Sequence, residues 1–170
     1  MSDVLEVDLD GALGDTRPLW RDFVADAARR FAAIATLDAS SLPDDRGAAA
    51  DELDRWAERG IGDWRAALTR FAEDRAPVYL RPNADANAAL RALAASDHRL
   101  GAFTDAPEPL ARVALAHLGA LRRIDELACG HDARERLLER LGPGAEVATS
   151  AEDLANISGR GAEGLRRPSA

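Results

Sequence analysis

The chain has no lysine. All 22 of its permanently cationic side chains are arginines, set against 30 aspartates and glutamates for a net charge of −8. The missing lysine removes one common catalytic group. The acidic excess, with a pI near 4.9, argues against nonspecific nucleic-acid binding, which needs a basic face. Cysteine occurs once, at Cys129, so no intramolecular disulfide can form and a reducing compartment suits the chain. Cys129 reads as a small buried hydrophobe rather than a nucleophile. No stretch approaches the ~20 apolar residues that span a membrane. The N-terminus lacks the basic and then apolar run of a signal peptide. These absences lead us to expect a soluble, cytoplasmic protein with neither nucleic acid nor membrane as a partner.

At 170 residues the natural expectation is one domain with a small insertion. Such a chain buries about 70% of its unfolded surface and needs no covalent staple. "VLEVDL" reads as a strand, with Glu6 interrupting the apolar run so that one face lies near solvent or a partner. Trp20, Val24, Ala27, Phe31 and Ile34 then form a helical stripe, with Pro18 suited to the first turn. "ASSLPDDRG" reads as a loop, and the "DDR" within it as solvated. Ala49, Leu53 and Trp56 share a face of a second helix that stops near Gly60. Asp63 suits the N-cap of a third, which carries Trp64, Leu68 and Phe71. The three tryptophans read as the core of a small helical unit.

Beyond "RAPVYLRP" the pattern alternates. Helices are expected in "NADANAALRALAAS", capped by Asn83, in "DAPEPLARVALAHLG", in "DARERLLERLG" and from "SAEDLANIS". Strands are expected in "HRLGAFT", "IDELACG" and "AEVAT". Alternation of this kind predicts an α/β fold, a parallel sheet covered on both faces. The tail "GRGAEGLRRPSA" reads as frayed. Ligands of such sheets sit beyond the carboxyl ends of the strands. Three segments bring polar groups there: Asp8 and Asp10; Thr104; and Thr149, Ser150 and Asp153. Two aspartates side by side repel, which a buried strand does not need but a reactive or metal site can use.

"DLDGALGDT" resembles the first motif, DxDGT, of the haloacid dehalogenase-like hydrolase superfamily. The resemblance runs in order along almost the whole chain. The helical stretch looks like that family's inserted cap, "FTDAP" like its second motif and "VATSAEDLANI" like a degraded fourth motif. It implies a Rossmann-like parallel sheet core at residues 1–16 and 78–170, with a helical cap at residues 17–77 inserted after the first strand. In that family's terms Asp8 is the nucleophile that forms an aspartyl-phosphate, and Asp10 the general acid and then base. Thr104, Asp105 and Arg134 would hold the phosphate. Magnesium would be the cofactor, held by the Asp8 carboxylate, the backbone carbonyl of Asp10 and the motif-four carboxylate of Asp153. The substrate implied is a small phosphorylated metabolite, a phosphomonoester, handled by a monomer or homodimer. An acid two residues after the nucleophile marks the family's phosphatases rather than its dehalogenases.

The chain departs from the pattern in three places. The motif-one threonine is Ala12. The motif-three lysine has no clear match, with His131 or Arg134 as the available positive charges. The Gly-Asp of motif four is Ala148-Thr149, leaving Asp153 with Glu152 beside it. Removing one preorganised electrostatic group costs ~10²–10³ in rate, so a catalytically impaired descendant that binds ligands or partners is the competing expectation. A phospho-accepting receiver domain is a third; the helical insertion and the missing lysine argue against it. Asp15 and Thr16 read as caps of the following helix, Asp153 equally as a metal ligand or as a helix-start acid favoured by the helix dipole, His117 as a core histidine, His98 as exposed and His131 as structural.

Overall fold

The computed structural model describes residues 4–32 and 41–164. Ile34 of the first helical stripe and residues 165–170 of the tail lie outside them. Four parallel strands form one sheet: β1 (Val4–Asp8), β2 (Arg99–Thr104), β3 (Glu126–Cys129) and β4 (Glu146–Ala148), in the spatial order β3-β2-β1-β4. Asp8 pairs with Phe103, and Thr104 with Cys129, so the polar ends of the three strands lie side by side.

Alternation along the strands sorts side chains to the two faces. Leu5, Val7, Leu100, Ala102 and Ala148 pack against α4 (Ala84–Ala95), α5 (Glu108–His117) and α7 (Ala151–Gly164) in the main core. Val4, Phe103 and Ala128 face α6 (Ala133–Leu141), which supplies Ala133, Leu137 and Leu141. Glu6 shares that second face and is 1% exposed. Solvent does not reach it, because α6 covers it, and of the two alternatives the sequence left open Glu6 takes the partner, Arg134 of that helix. The tail is also more regular than expected, since α7 runs on to Gly164.

Between β1 and α4 lie α1 (Arg17–Ala32), α2 (Arg46–Trp56) and α3 (Trp64–Tyr79). Asp63 caps α3 by accepting from the Ala66 amide at 3.0 Å, and Asn83 caps α4. All three tryptophans are buried with Phe23, Leu53 and Leu68 in a second core, with Trp20 and Trp64 edge to face. Ala106 and Leu110 belong to the same cluster, so the insert packs directly on the N-terminal end of α5. Residues 77 and 78 both lie inside α3. Among the described residues no helix is long and apolar enough to cross a membrane.

Candidate active site

β1 ends at Asp8 in a five-residue wide helical turn, Leu9–Leu13. Asp8 Oδ1 accepts from the Asp10 amide at 3.0 Å, which fixes one carboxylate beside the start of that turn. Gly11 makes the turn possible. A Cβ there would lie 2.1 Å from the Thr149 carbonyl oxygen, so the turn abuts the end of β4 more closely than any side chain allows.

Asp10 is enclosed by donors. Its Oδ1 accepts from the Thr16 amide at 2.7 Å and the Thr16 hydroxyl at 2.6 Å. Its Oδ2 accepts from the Thr104 hydroxyl at 2.7 Å and from Arg46 Nη2 at 2.6 Å. Thr104 Oγ1 in turn accepts from the Ala106 amide, and Thr16 Oγ1 from Arg46 Nη1 at 2.7 Å. Arg46 also grips Asp105 through Nε and Nη2. Its side chain is only 5% exposed. The solvated loop expected at "DDR" is therefore corrected: Asp45 caps α2, and Arg46 at the helix start is buried against the end of the sheet.

Burial pushes the Asp8 carboxyl above its usual value, helped by the charges of Asp10 and Asp105 and opposed by the amides of Asp10 and Gly11. Burial acts on Asp10 in the same sense. There the Arg46 guanidinium outweighs it together with the donors from Thr16 and Thr104, holding Asp10 below its usual value.

The remaining residues singled out by sequence fall as follows. Asp105 pairs with Arg46 while its side chain stays 56% exposed. Arg134 sits on the rim of an approximately 500 Å³ cleft that also exposes Asp8, Asp10 and Thr104. Its Nε donates to Glu6 Oε2 at 3.1 Å. The other Glu6 oxygen, buried, has no partner among the described residues. His131 lies on the same rim against Gly47 of α2, with Asp45 and Asp51 each 3.6 Å from its ring nitrogens. His117 Nε2 meets the Leu80 carbonyl at 3.1 Å. Cys129 lines a separate cavity of about 850 Å³ along the β3 edge, and burial pushes its thiol up to about 12. That leaves it a poor nucleophile.

Asp153 does something different from the other acids. Its Oδ2 accepts from the amides of Thr149 and Ser150, both at 2.9 Å, and from the Thr149 hydroxyl. Ser150 Oγ accepts from the Asp153 amide at 3.1 Å. This is a reciprocal capping box at the start of α7. Magnesium requires near-octahedral oxygen ligation, usually with one or two carboxylates. Asp153 gives one of its carboxylate oxygens, Oδ2, to its own helix start, and no group of three or more His, Cys, Asp or Glu among the described residues is arranged to hold a metal.

Sequence reading missed Arg46. One local signal pointed to it: a cation in the first turn of a capped helix opposes the helix dipole, and so calls for a partner elsewhere in the fold.

Compared with known proteins, the chain matches no family model and no curated protein. Among solved structures it is similar to the crystal structure of a HAD phosphatase from Thermococcus onnurineus, with 21% sequence identity and a TM-score of 0.46. The match covers 84% of this chain and 72% of that one.

Proposed function

We propose that the chain is a phosphohydrolase of the haloacid dehalogenase-like type, moving a phosphoryl group from a small phosphorylated metabolite to Asp8 and then to water. The convergence of Asp8, Asp10 and Thr104 at adjacent strand ends carries this reading. The Thr104 hydroxyl reaches Asp10 at 2.7 Å across 94 residues of chain. An open cleft lies over Asp8, with Arg134 on its rim to attract an anion.

In this mechanism an Asp8 carboxylate oxygen attacks phosphorus, and the bond from phosphorus to the leaving oxygen breaks. Water then attacks the aspartyl-phosphate. Asp10, held as a carboxylate by Arg46, Thr16 and Thr104, accepts a proton from that water. Asp8 leaves phosphorus and is regenerated. The insert supplies Arg46 and so completes the site on one side.

A second reading, a ligand-binding descendant without turnover, is favoured by the engagement of Asp153 in its capping box and by the absence of a lysine. One experiment separates the two: phosphate release from an aryl phosphate, with and without added magnesium, by the native chain and by Asp8→Asn. Turnover that falls by at least ~10³-fold in Asp8→Asn supports the hydrolase. A folded native chain that turns over nothing supports the binding protein.

A further inference from the structure

We propose that Glu6, buried beneath α6, is a positioning residue: it holds Arg134 by Nε and so sets the two Nη groups as a fork for two oxygens of a phosphoryl group in the cleft at Asp8. The inference rests on the reading of that cleft as a phosphoryl site and adds to it a residue that touches no substrate.

A carboxylate in the middle of a strand, on a face that a helix covers, costs free energy unless it is paired. Glu6 is 1% exposed and lies in register with Gly101 of β2 and Val147 of β4. A Cβ at Gly101 would meet Leu141 Cδ1 at 2.6 Å and Leu137 Cδ1 at 2.8 Å, so α6 is seated directly on the sheet in that row. Arg134, in the first turn of α6, reaches Glu6 from there. Its Nε donates to Oε2 at 3.1 Å, while Oε1 is buried and has no partner among the described residues. Stability does not account for this pair. Even a fully satisfied buried ion pair contributes little net stability. Here one carboxylate oxygen is unsatisfied, and the Arg134 side chain is 54% exposed. What the pair does is restrain the guanidinium. Helix α6 fixes the root of the side chain and Glu6 fixes Nε. The Phe103 ring lies against the guanidinium, 5.9 Å from ring centroid to Cζ. Phe103 is the register partner of Asp8, and Arg134, Phe103 and Asp8 line the same cleft.

With Nε taken by Glu6, the Nη groups of Arg134 make no hydrogen bond with the described residues. They offer two parallel N–H donors, the arrangement that matches two oxygens of a phosphate. Lysine carries one compact ammonium on a flexible stem and lacks the fork. It cannot serve Glu6 and two phosphoryl oxygens in one fixed geometry. Without Glu6, the long Arg134 side chain regains rotamers that turn it to solvent, and phosphate binding must then offset the cost of ordering it. No proton and no bond is exchanged at Glu6; it acts through Arg134 alone.

The test compares Glu6→Leu and Glu6→Gln with the native chain in three readings: Kd for inorganic phosphate by calorimetry, kcat and KM for 4-nitrophenyl phosphate, and Tm. Leucine leaves no charge buried, because Arg134 can turn to solvent, so Tm should hold or rise in Glu6→Leu. Its phosphate Kd and its KM should nonetheless rise by ~10-fold or more, as expected for lost hydrogen bonds to a charged group, with kcat changed less. Glutamine keeps an oxygen for Nε, so Glu6→Gln should recover most of the lost affinity. Arg134→Lys should bind phosphate as weakly as Glu6→Leu, and combining the two should weaken binding no further. If inorganic phosphate binds too weakly to measure, KM carries the comparison. A native Kd and KM in Glu6→Leu, or a rise that appears only with a fall in Tm, would overturn the inference and leave the hydrolase reading intact. Phosphate binding without turnover would overturn the hydrolase reading alone. A native chain that neither binds nor releases phosphate would overturn both.

Discussion

The two flanks of the strand-end site are built in opposite ways. On the insert side the buried Arg46 ties Asp10 and Thr16 to the exposed Asp105 in one network. On the β4 side Asp153 turns its carboxylate back to cap α7. Of the acidic pair, Asp10 is thus countered by a guanidinium brought from the insert, and Asp8 is not. The difference teaches that matching residue types at a familiar spacing does not fix their role. Asp153 stands where a ligand is expected and acts as a helix cap. Arg46 stands in an unremarkable loop sequence and governs the most enclosed acid of the site.

Removing the buried side of this comparison should have the larger effect. Arg46→Met leaves Asp10 in a donor cage without its countercharge and is expected to cost about 3 kcal/mol of stability, as for other broken buried pairs. The midpoint of urea unfolding measures it. A loss comparable to that of an exposed ion pair would mean that the network contributes little.

Acid should act through the same residues. The folded Asp10 value lies below its ordinary 3.8. The stability drawn from its network is therefore complete above the ordinary value and is lost as pH falls through the folded one. Asp8 has the opposite sign: its folded value lies above 3.8, so protonating it on the way down relieves an unfavourable charge. Stability should hold or rise slightly as pH approaches about 4 and then fall. In Arg46→Met the final fall should be shallower. Unfolding midpoints taken from pH ~6 to ~2 test this, and an unchanged acid limb in the variant would detach Asp10 from Arg46.

The smallest effect belongs to the other flank. Asp153→Ala removes a helix cap and should lower Tm by on the order of a few degrees, with phosphate release per folded molecule nearly unchanged. A loss of rate without a loss of Tm would return Asp153 to the reactive centre.

Much of this was legible in the sequence because it is local. The change from helical to alternating spacing located the four strands, and Asp63 and Asn83 announced the helices they cap. The polar strand ends at Asp8 and Thr104 followed from the same reading. What escaped was long-range. Arg46 is buried by partners 30, 36 and 59 residues away, and its own neighbours, Pro43, Asp44, Asp45 and Gly47, speak only of a loop. Glu6 is buried by a helix that begins at Ala133, and its partner Arg134 lies 128 residues on. Asp153, which the sequence leaves open between metal ligand and helix-start acid, is a case of another kind. A capping box and a metal ligand use the same residue at the same place, and only the direction of its carboxylate distinguishes them.

The most direct measurement is the mass of the peptide containing Asp8 after the native chain is mixed with acetyl phosphate and quenched in acid. The account predicts a phosphoryl group on Asp8, absent from Asp8→Asn and lost with time as water is admitted. An unmodified Asp8 in a chain that nonetheless releases phosphate, or a phosphoryl group on another residue, would contradict it.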